Sequence, residues 1–218
     1  MTADDLFAPL AAPASAAVPL TKSALLLRGF AATDAEALLA ALKGVVAAAP
    51  FRHMLTPGGH RMSVAMSNCG QLGWVTDRRG YRYDACDPES GRAWPKMPPR
   101  FADLAARAAA AAGFGAFAPD CCLINRYHPG ARMALHQDRD EHDFAQPIVS
   151  VSLGLSAVFL FGGLARDVAP LRVRLEHGDV VVWGGAARLA FHGVATLADG
   201  LHPLTGSARI NFTFRKAA

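Results

Sequence analysis

The sequence predicts a mainly β fold with flanking helices, of the α+β class, and three observations support this. From Cys121 onward, short runs of apolar and β-branched residues are separated by Gly, Pro and Asp turns, with no helical period between them. Two segments upstream have helical periodicity instead. The length of 218 residues suits one domain with a full hydrophobic core. Short strands at this spacing are typical of an antiparallel sandwich or barrel.

The N-terminus is predicted to lie outside the folded core. Its first twenty residues are rich in alanine and proline, a composition that buries little surface. We therefore expect a flexible arm over residues 1–24 and a single domain over residues 25–218. The domain would open with a short strand formed by the three leucines at 25–27.

Two helices are predicted before the strand-rich part of the chain. Residues 33–36, Thr-Asp-Ala-Glu, are a capping-box signature, and an apolar face follows them as far as Pro50. The second helix is expected to begin near Pro99 and to end at Gly113. Both are interpreted as supports for a sheet. The predicted strands that follow are residues 123–127, 133–138, 148–155, 158–161, 171–175, 180–183, 190–194 and 209–215.

The stretch over residues 51–98 mixes aromatic with basic side chains in a loop-rich segment. Its rings include Trp74, Tyr81, Tyr83 and Trp94, and arginines alternate with them. Such a mixture suits single-stranded nucleic acid, because cations pair with phosphates while rings stack on bases. The same composition also fits a solvated surface whose rings are buried in the core. Trp94, beside a proline, is interpreted as structural.

A His-x-Asp motif at His136-Gln137-Asp138 provides candidate metal ligands. On an extended strand, side chains two residues apart point to the same face, so the imidazole and the carboxylate would converge. Together with a distant second histidine, such a pair forms a facial triad that leaves positions open on a non-haem Fe(II). A His-x-Asp motif by itself is weak evidence for a metal site, and the residues around it decide whether it is one.

The last predicted strand, residues 209–215, has polar residues on one face and Ile and Phe on the other. The polar face could simply meet water. If it lined a barrel instead, Arg209 and Arg215 would be buried guanidiniums in need of anions, which a dicarboxylate would supply. Because six residues of strand span about 20 Å, twist and leaning side chains would have to bring the two arginines closer together.

Charge, cysteine usage and hydropathy limit the remaining function classes. The net charge of +4 and a pI near 9.1 fit a nucleic-acid partner without requiring one. The four cysteines lack Cys-x-x-Cys spacing, so a zinc site is not expected, and the neighbours Cys121 and Cys122 are interpreted as buried reduced thiols. The N-terminus has no basic region before an apolar run, and no apolar run is long enough to span a bilayer. We expect a soluble, cytoplasmic protein without a membrane partner.

Three motifs in order carry a resemblance to a known family. They are Asn-Arg-Tyr-x-Pro-Gly-Ala from residue 125, Leu-His-Gln-Asp-x-Asp-Glu from residue 135, and Arg-x-Asn-x-Thr-Phe-Arg from residue 209. With them the sequence resembles the AlkB family of bacterial Fe(II)- and 2-oxoglutarate-dependent dioxygenases, which repair alkylated bases. The likeness runs from about Thr56 to Lys216. It implies a double-stranded β-helix (jelly-roll, cupin-like) over residues 120–216, an N-terminal helical extension, and a nucleotide-recognition lid over residues 51–98.

The resemblance also implies roles for individual side chains. Fe(2+) would be bound by His136, Asp138 and, in the run Phe-His-Gly, His192, while His177 in a predicted turn is interpreted as structural. The distal carboxylate of 2-oxoglutarate would lie on Arg209 with Tyr127 and Asn211, and its inner carboxylate near Arg215 and Asn125. The substrate would be bound by Trp74, Tyr81, Asp140 and Arg166.

The implied reaction is oxidative demethylation for direct-reversal DNA repair. 1-Methyladenine and 3-methylcytosine in single-stranded DNA would be repaired, with double-stranded DNA and RNA as further substrates. The reaction would couple 2-oxoglutarate and O2 to succinate, CO2 and formaldehyde, and we expect a monomer. Two alternatives remain: a related oxygenase for another substrate such as RNA or a small molecule, and an inert jelly-roll binding module. The intact candidate ligands and both arginines argue against the second.

Overall fold

A computed structural model describes residues 17–218 of the chain. Its first element is strand β1 (Ala17–Thr21), which pairs antiparallel with β2 (Ala24–Leu27). The prediction of a flexible arm was therefore wrong for residues 17–24, and the rest of that arm, residues 1–16, lies outside the described residues. Composition does not reveal β1, because backbone pairing with β2 holds it while four of its five residues stay exposed.

The elements predicted from Cys121 onward are all present, and their ends differ by a few residues. Helices α1 (Ala35–Ala48) and α2 (Pro99–Ala111) precede them. The other strands are β3 (Ala65–Gly70), β4 (Gly73–Asp77), β5 (Gly80–Asp84), β6 (Cys121–Tyr127), β7 (Met133–His136), β8 (Ile148–Gly154), β9 (Ala157–Phe161), β10 (Leu171–Leu175), β11 (Val180–Trp183), β12 (His192–Val194) and β13 (Arg209–Arg215).

Two antiparallel sheets form the double-stranded β-helix that the resemblance implied. A seven-stranded sheet has the order β1-β2-β11-β8-β13-β6-β3, and a four-stranded sheet has the order β10-β9-β12-β7. Leu26 and Val181 of the large sheet share a core with Phe159 and Phe161 of the small one. The jelly-roll prediction is confirmed.

Both helices pack on the outer face of the large sheet, as predicted. Leu38 and Leu42 of α1 share a second core with Leu104 of α2, and with Phe212 and Phe214 of β13. Because side chains alternate along a strand, the polar residues of β13, which alternate with these phenylalanines, point the other way, towards the small sheet. The polar face of β13 therefore lines the interior, and the alternative in which that face meets water is excluded by its burial.

The capping box predicted for α1 is not formed. The residue that precedes the helix is Asp34, and it makes no side-chain capping bond. Its carboxylate instead accepts a hydrogen bond of 2.9 Å from the guanidinium of Arg107 on α2. The carboxylate of Asp34 is thus used in a contact between the two helices and not in a capping bond within α1.

The predicted lid over residues 51–98 is divided between core and surface. β3 belongs to the large sheet, so this part of the lid prediction was wrong; the small and polar residues of β3 give no clear period. A separate two-stranded hairpin, β4–β5, carries Trp74 and Tyr81. Trp94 is buried beneath it and donates from its indole nitrogen to the carbonyl of Asp84, which confirms its structural role.

Neither helix within residues 17–218 is long and apolar enough to cross a membrane. The cysteines in this part of the chain are all unpaired. Cys121 and Cys122 are buried as expected, Cys69 is also buried, and Cys86 is exposed.

Phe101 provides a test of the packing between α2 and the sheet. It is fully buried, and its ring centroid lies 4.6 Å from that of Phe212. Phe101→Ala is expected to lower the free energy of unfolding by about 3–5 kcal/mol, because a large cavity would remain. Urea unfolding followed by circular dichroism measures this. Leu201→Ala, at an 83% exposed leucine, should change stability by less than about 0.5 kcal/mol; equal losses in the two variants would contradict the assigned core.

Candidate active site

One cavity of about 840 Å³ opens between the two sheets beneath the β4–β5 hairpin. It is lined by every metal, 2-oxoglutarate and substrate residue that the sequence analysis singled out. These residues come from both sheets, from the hairpin and from the segment after β7. The fold therefore brings together candidates that are more than 140 positions apart in the chain.

His136, Asp138 and His192 form a cluster at the end of β7. Their ligand atoms all lie within 4.8 Å of one another, the only group of this kind among the described residues. His136 on β7 is directly opposite His192 on β12, and Asp138 follows two residues later. The strands pair irregularly here, and β7 ends at His136 instead of at Asp138 as predicted.

The hydrogen bonds of the two imidazoles leave one nitrogen of each free. The Nδ1 of His136 lies 2.9 Å from the carbonyl of Ala134, and the Nδ1 of His192 lies 3.0 Å from the carbonyl of Ala190. A carbonyl can only accept, so each Nδ1 carries a proton, and in the neutral ring the lone pair lies on Nε2. Each Nε2 lies 3.6 Å from a carboxylate oxygen of Asp138. Two imidazoles and one carboxylate so arranged fit a non-haem iron.

Electrostatics favour a neutral His192 and a charged Asp138, which are the forms of these two side chains that bind a metal. Burial lowers the pKa of His192 to about 4, so the ring is neutral at pH 7. Burial alone would raise the pKa of Asp138, but the Arg215 guanidinium outweighs it and holds that pKa well below its usual range. Arg215 donates from Nε and Nη2 to one oxygen of Asp138, at 2.8 and 2.6 Å.

Arg209 lies at the other end of the polar face of β13. Its guanidinium is buried over the ring of Tyr127, and it donates from Nη2 to the hydroxyl of Ser152 at 2.9 Å. Its Nε and Nη1 have no partner within the described residues. Buried donors without acceptors are costly, and a carboxylate can take two of them at once. The cavity thus suits a dicarboxylate, as 2-oxoglutarate is.

The two arginines contact different partners, and the expectation that twist would bring them closer stays a prediction. Arg215 is occupied by Asp138 at the metal end, while Arg209 remains at the opposite end with Ser152. Between them Asn125 and Asn211 face each other across β6 and β13, joined by a hydrogen bond of 3.1 Å.

The predicted substrate residues lie at the mouth of the cavity. Trp74 stacks on Tyr81 with ring centroids 5.7 Å apart, and its indole nitrogen donates to Asp140 at 3.0 Å. Tyr81 is 51% exposed. Arg166 lies over the Phe191 ring and donates to the carbonyl of Leu135, beside His136. An aromatic face and a carboxylate are thus adjacent to the candidate metal ligands.

Sequence reasoning missed three residues of the site. Glu141, Arg188 and Tyr83 form a buried network next to Asp138. Glu141 is the last residue of the motif that starts at Leu135, so its place in that motif could have indicated a role in the site. Nothing in the sequence around Arg188 indicates such a role. His177 stacks on His202 and accepts from the backbone N–H of Gly154, as expected of a structural residue.

A double-stranded β-helix with a His-Asp-His cluster in its cavity defines a class, the non-haem iron oxygenases. The chain belongs to the 2OG-Fe(II) oxygenase superfamily, whose sequence profile matches residues 23–215, and within it to the AlkB dioxygenases. It is therefore an Fe(II)- and 2-oxoglutarate-dependent dioxygenase with O2 as cosubstrate. The resemblance stated from the three motifs is confirmed.

Individual relatives support this assignment. The chain is 56% identical over 199 residues to "Alpha-ketoglutarate-dependent dioxygenase AlkB" of Escherichia coli (strain K12), covering 91% of this chain and 92% of that protein. It is 36% identical over 124 residues to "Nucleic acid dioxygenase ALKBH1" of Homo sapiens, covering 57% and 32%. The solved structure "The structure of OsALKBH1" matches it with a TM-score of 0.83 at 29% identity, covering 92% and 100%.

Arg209 is the residue through which the cosubstrate pocket can be tested. Arg209→Ala is expected to weaken 2-oxoglutarate binding by about 2–5 kcal/mol, because a buried carboxylate would lose its partner. Arg209→Lys should restore little, since an ammonium cannot form the bidentate pair. Calorimetry with Mn(II) and 2-oxoglutarate measures both. Arg172→Ala, at an exposed arginine on β10, is the control; unchanged affinity in both Arg209 variants would place the carboxylate elsewhere.

Proposed function

We propose that this dioxygenase oxidatively demethylates 1-methyladenine and 3-methylcytosine in single-stranded DNA, and so repairs alkylation damage directly. The observation that carries the proposal is the pair of Trp74 and Asp140 at the cavity mouth, next to His136 and Asp138. A base alkylated on its ring nitrogen is flat and cationic. An aromatic face attracts such a cation by roughly 0.5–2 kcal/mol, and a carboxylate favours its charge.

His136, Asp138 and His192 are proposed to hold the Fe(II). When bound, the iron and 2-oxoglutarate supply the oxidation of the methyl group by O2, with succinate and CO2 as products. The protein's own residues do the positioning. Arg209 binds the distal carboxylate with Tyr127 and Asn211, and Asn125 and Arg215 line the inner end. The hydroxylated methyl group then leaves the base nitrogen as formaldehyde.

The hairpin and the rim of the cavity are proposed to bind the strand. Trp74 stacks on the extruded base opposite His136, and Asp140 accepts from its exocyclic amine. Tyr81 and Arg166 bind the strand beside it. Further basic side chains line the cavity and can pair with phosphates: His60, Arg61, Arg132 and Arg139. The name of the human relative, a nucleic acid dioxygenase, supports this substrate class.

The burial of the candidate metal ligands supports a single-stranded substrate. The base must leave the stack to reach a buried cluster, which costs a few kcal/mol when it is paired and less in a single strand. Duplex DNA is the weaker candidate on this reasoning, whereas single-stranded RNA is not disfavoured by it.

Asp138 tests the metal assignment. Asp138→Ala is expected to abolish formaldehyde release from a methylated single-stranded oligonucleotide with Fe(II) and 2-oxoglutarate. The fold should persist, because Arg215 keeps Glu141 as a counter-ion, with a 3.3 Å contact. Formaldehyde detection and circular dichroism measure the two expectations. Turnover at the wild-type rate in this variant, or in metal-free protein, would remove Asp138 from the ligand set.

Trp74 tests the nucleic-acid assignment. Trp74→Ala is expected to weaken binding of a methylated oligonucleotide by about 1–3 kcal/mol, since one stacking platform is lost. Trp74→Phe keeps a ring but loses the bond to Asp140, so its affinity should be intermediate. Calorimetry should find 2-oxoglutarate binding unaltered in both. If Trp74→Ala repairs at the wild-type rate and added salt leaves oligonucleotide binding unchanged, a small-molecule substrate is favoured instead.

A further inference from the structure

The β4–β5 hairpin is attached to the segment that follows Asp138 at two neighbouring carboxylates. Trp74 and Tyr83 are directly opposite each other on the two hairpin strands. Trp74 donates from its indole nitrogen to Asp140 at 3.0 Å, and Tyr83 donates from its hydroxyl to Glu141 at 2.5 Å. Both strands of the hairpin therefore contact residues within three positions of a candidate metal ligand.

The contact of Tyr83 with Glu141 joins a half-buried phenol to a buried carboxylate. The Glu141 side chain is 1% exposed, and its second oxygen lies 3.1 Å from Nη2 of Arg188. Burial raises the pKa of Tyr83 well above its usual range, so the phenol stays protonated and acts as the donor. A buried carboxylate such as that of Glu141 needs hydrogen-bonding or charged partners, and removing one partner destabilises the contacts that remain.

Two arginines connect Glu141 to Asp138. The Nε of Arg215 lies 3.3 Å from Glu141 and 2.8 Å from Asp138, so one guanidinium is shared by both carboxylates. Arg188, which contacts Glu141, donates from Nη1 to the backbone carbonyl of Asp138 at 2.9 Å. The side chain and the main chain of Asp138 are thus both held by groups that Glu141 holds.

We propose that Tyr83 and Glu141 are positioning residues that couple the docking of the hairpin to the orientation of the Asp138 carboxylate. When the hairpin is docked, Tyr83 holds Glu141, which leaves Arg215 aligned on Asp138. By reciprocity, a metal that fixes Asp138 stabilises the docked hairpin. The substrate is then enclosed most firmly when the metal end of the site is complete. This inference rests on the proposed roles of Asp138 and of the hairpin.

Amide hydrogen exchange of residues 73–84, with and without Mn(II) and 2-oxoglutarate, tests the coupling on the full chain. In the unsubstituted protein, loading should slow exchange in the hairpin about 5-fold or more, the lower end of a typical coupling. Tyr83→Phe removes one hydroxyl and keeps the ring, and it should reduce this slowing to less than about 2-fold. Glu141→Gln should do the same and weaken Mn(II) binding by about 10-fold.

A matched control separates the coupling from a general loss of stability. Ser156→Ala also removes a hydroxyl that donates to a carboxylate, that of Glu176, at a site away from the cavity. It should leave the slowing as in the unsubstituted protein. The inference is overturned if loading does not slow the hairpin in the unsubstituted protein, or if Tyr83→Phe retains the full slowing. The exchange experiment contains no nucleic acid, so its outcome does not depend on the proposed repair activity. A failure of the repair assay would contradict the proposed function and leave the coupling untouched.

Discussion

The buried ion pair between Arg215 and Asp138 is the interaction on which the active site depends. A carboxylate at this depth would ordinarily be driven towards its neutral form by burial, and a neutral carboxyl is a poor metal ligand. The guanidinium keeps it charged and fixes one of its oxygens through two hydrogen bonds. Burial also favours the neutral form of His192, and for an imidazole the neutral form is the one that binds a metal. Both effects leave the cluster ready for a divalent cation.

This ion pair requires a scaffold that can tolerate buried charge, and β13 provides it. One face of the strand packs Phe212 and Phe214 against the helices in the outer core. The other face holds both arginines of the site between the sheets. Burying apolar side chains on one face offsets the cost of desolvating guanidiniums on the other. Two buried donors of Arg209 have no partner within the described residues, so an anionic ligand would offset the cost of desolvating them.

Much of the site could be predicted because its residues occupy short motifs with strand periodicity. The pair His136 and Asp138 converges through local geometry, and the alternation of β13 assigns its polar face without any tertiary information. Other features could not be obtained this way. Nothing in the sequence around Arg188 indicates that it reaches the carbonyl of Asp138, a contact between residues fifty positions apart. The lid prediction merged a core strand with a surface hairpin, because β3 is too small and polar to show a period.

By itself, the sequence determined the class of the fold and the family, and it predicted a set of side chains that the structure brings together in one cavity. These depend on local periodicity and on residue types at fixed spacing, which the chain retains before it folds. Only the tertiary structure decided that the polar face of β13 is buried as well as its apolar face, and that its two arginines contact different partners in one cavity. It also decided that Tyr83 and Glu141 connect the hairpin to Asp138. Those outcomes depend on burial and on contacts between distant strands, and such contacts exist only once the two sheets have packed together.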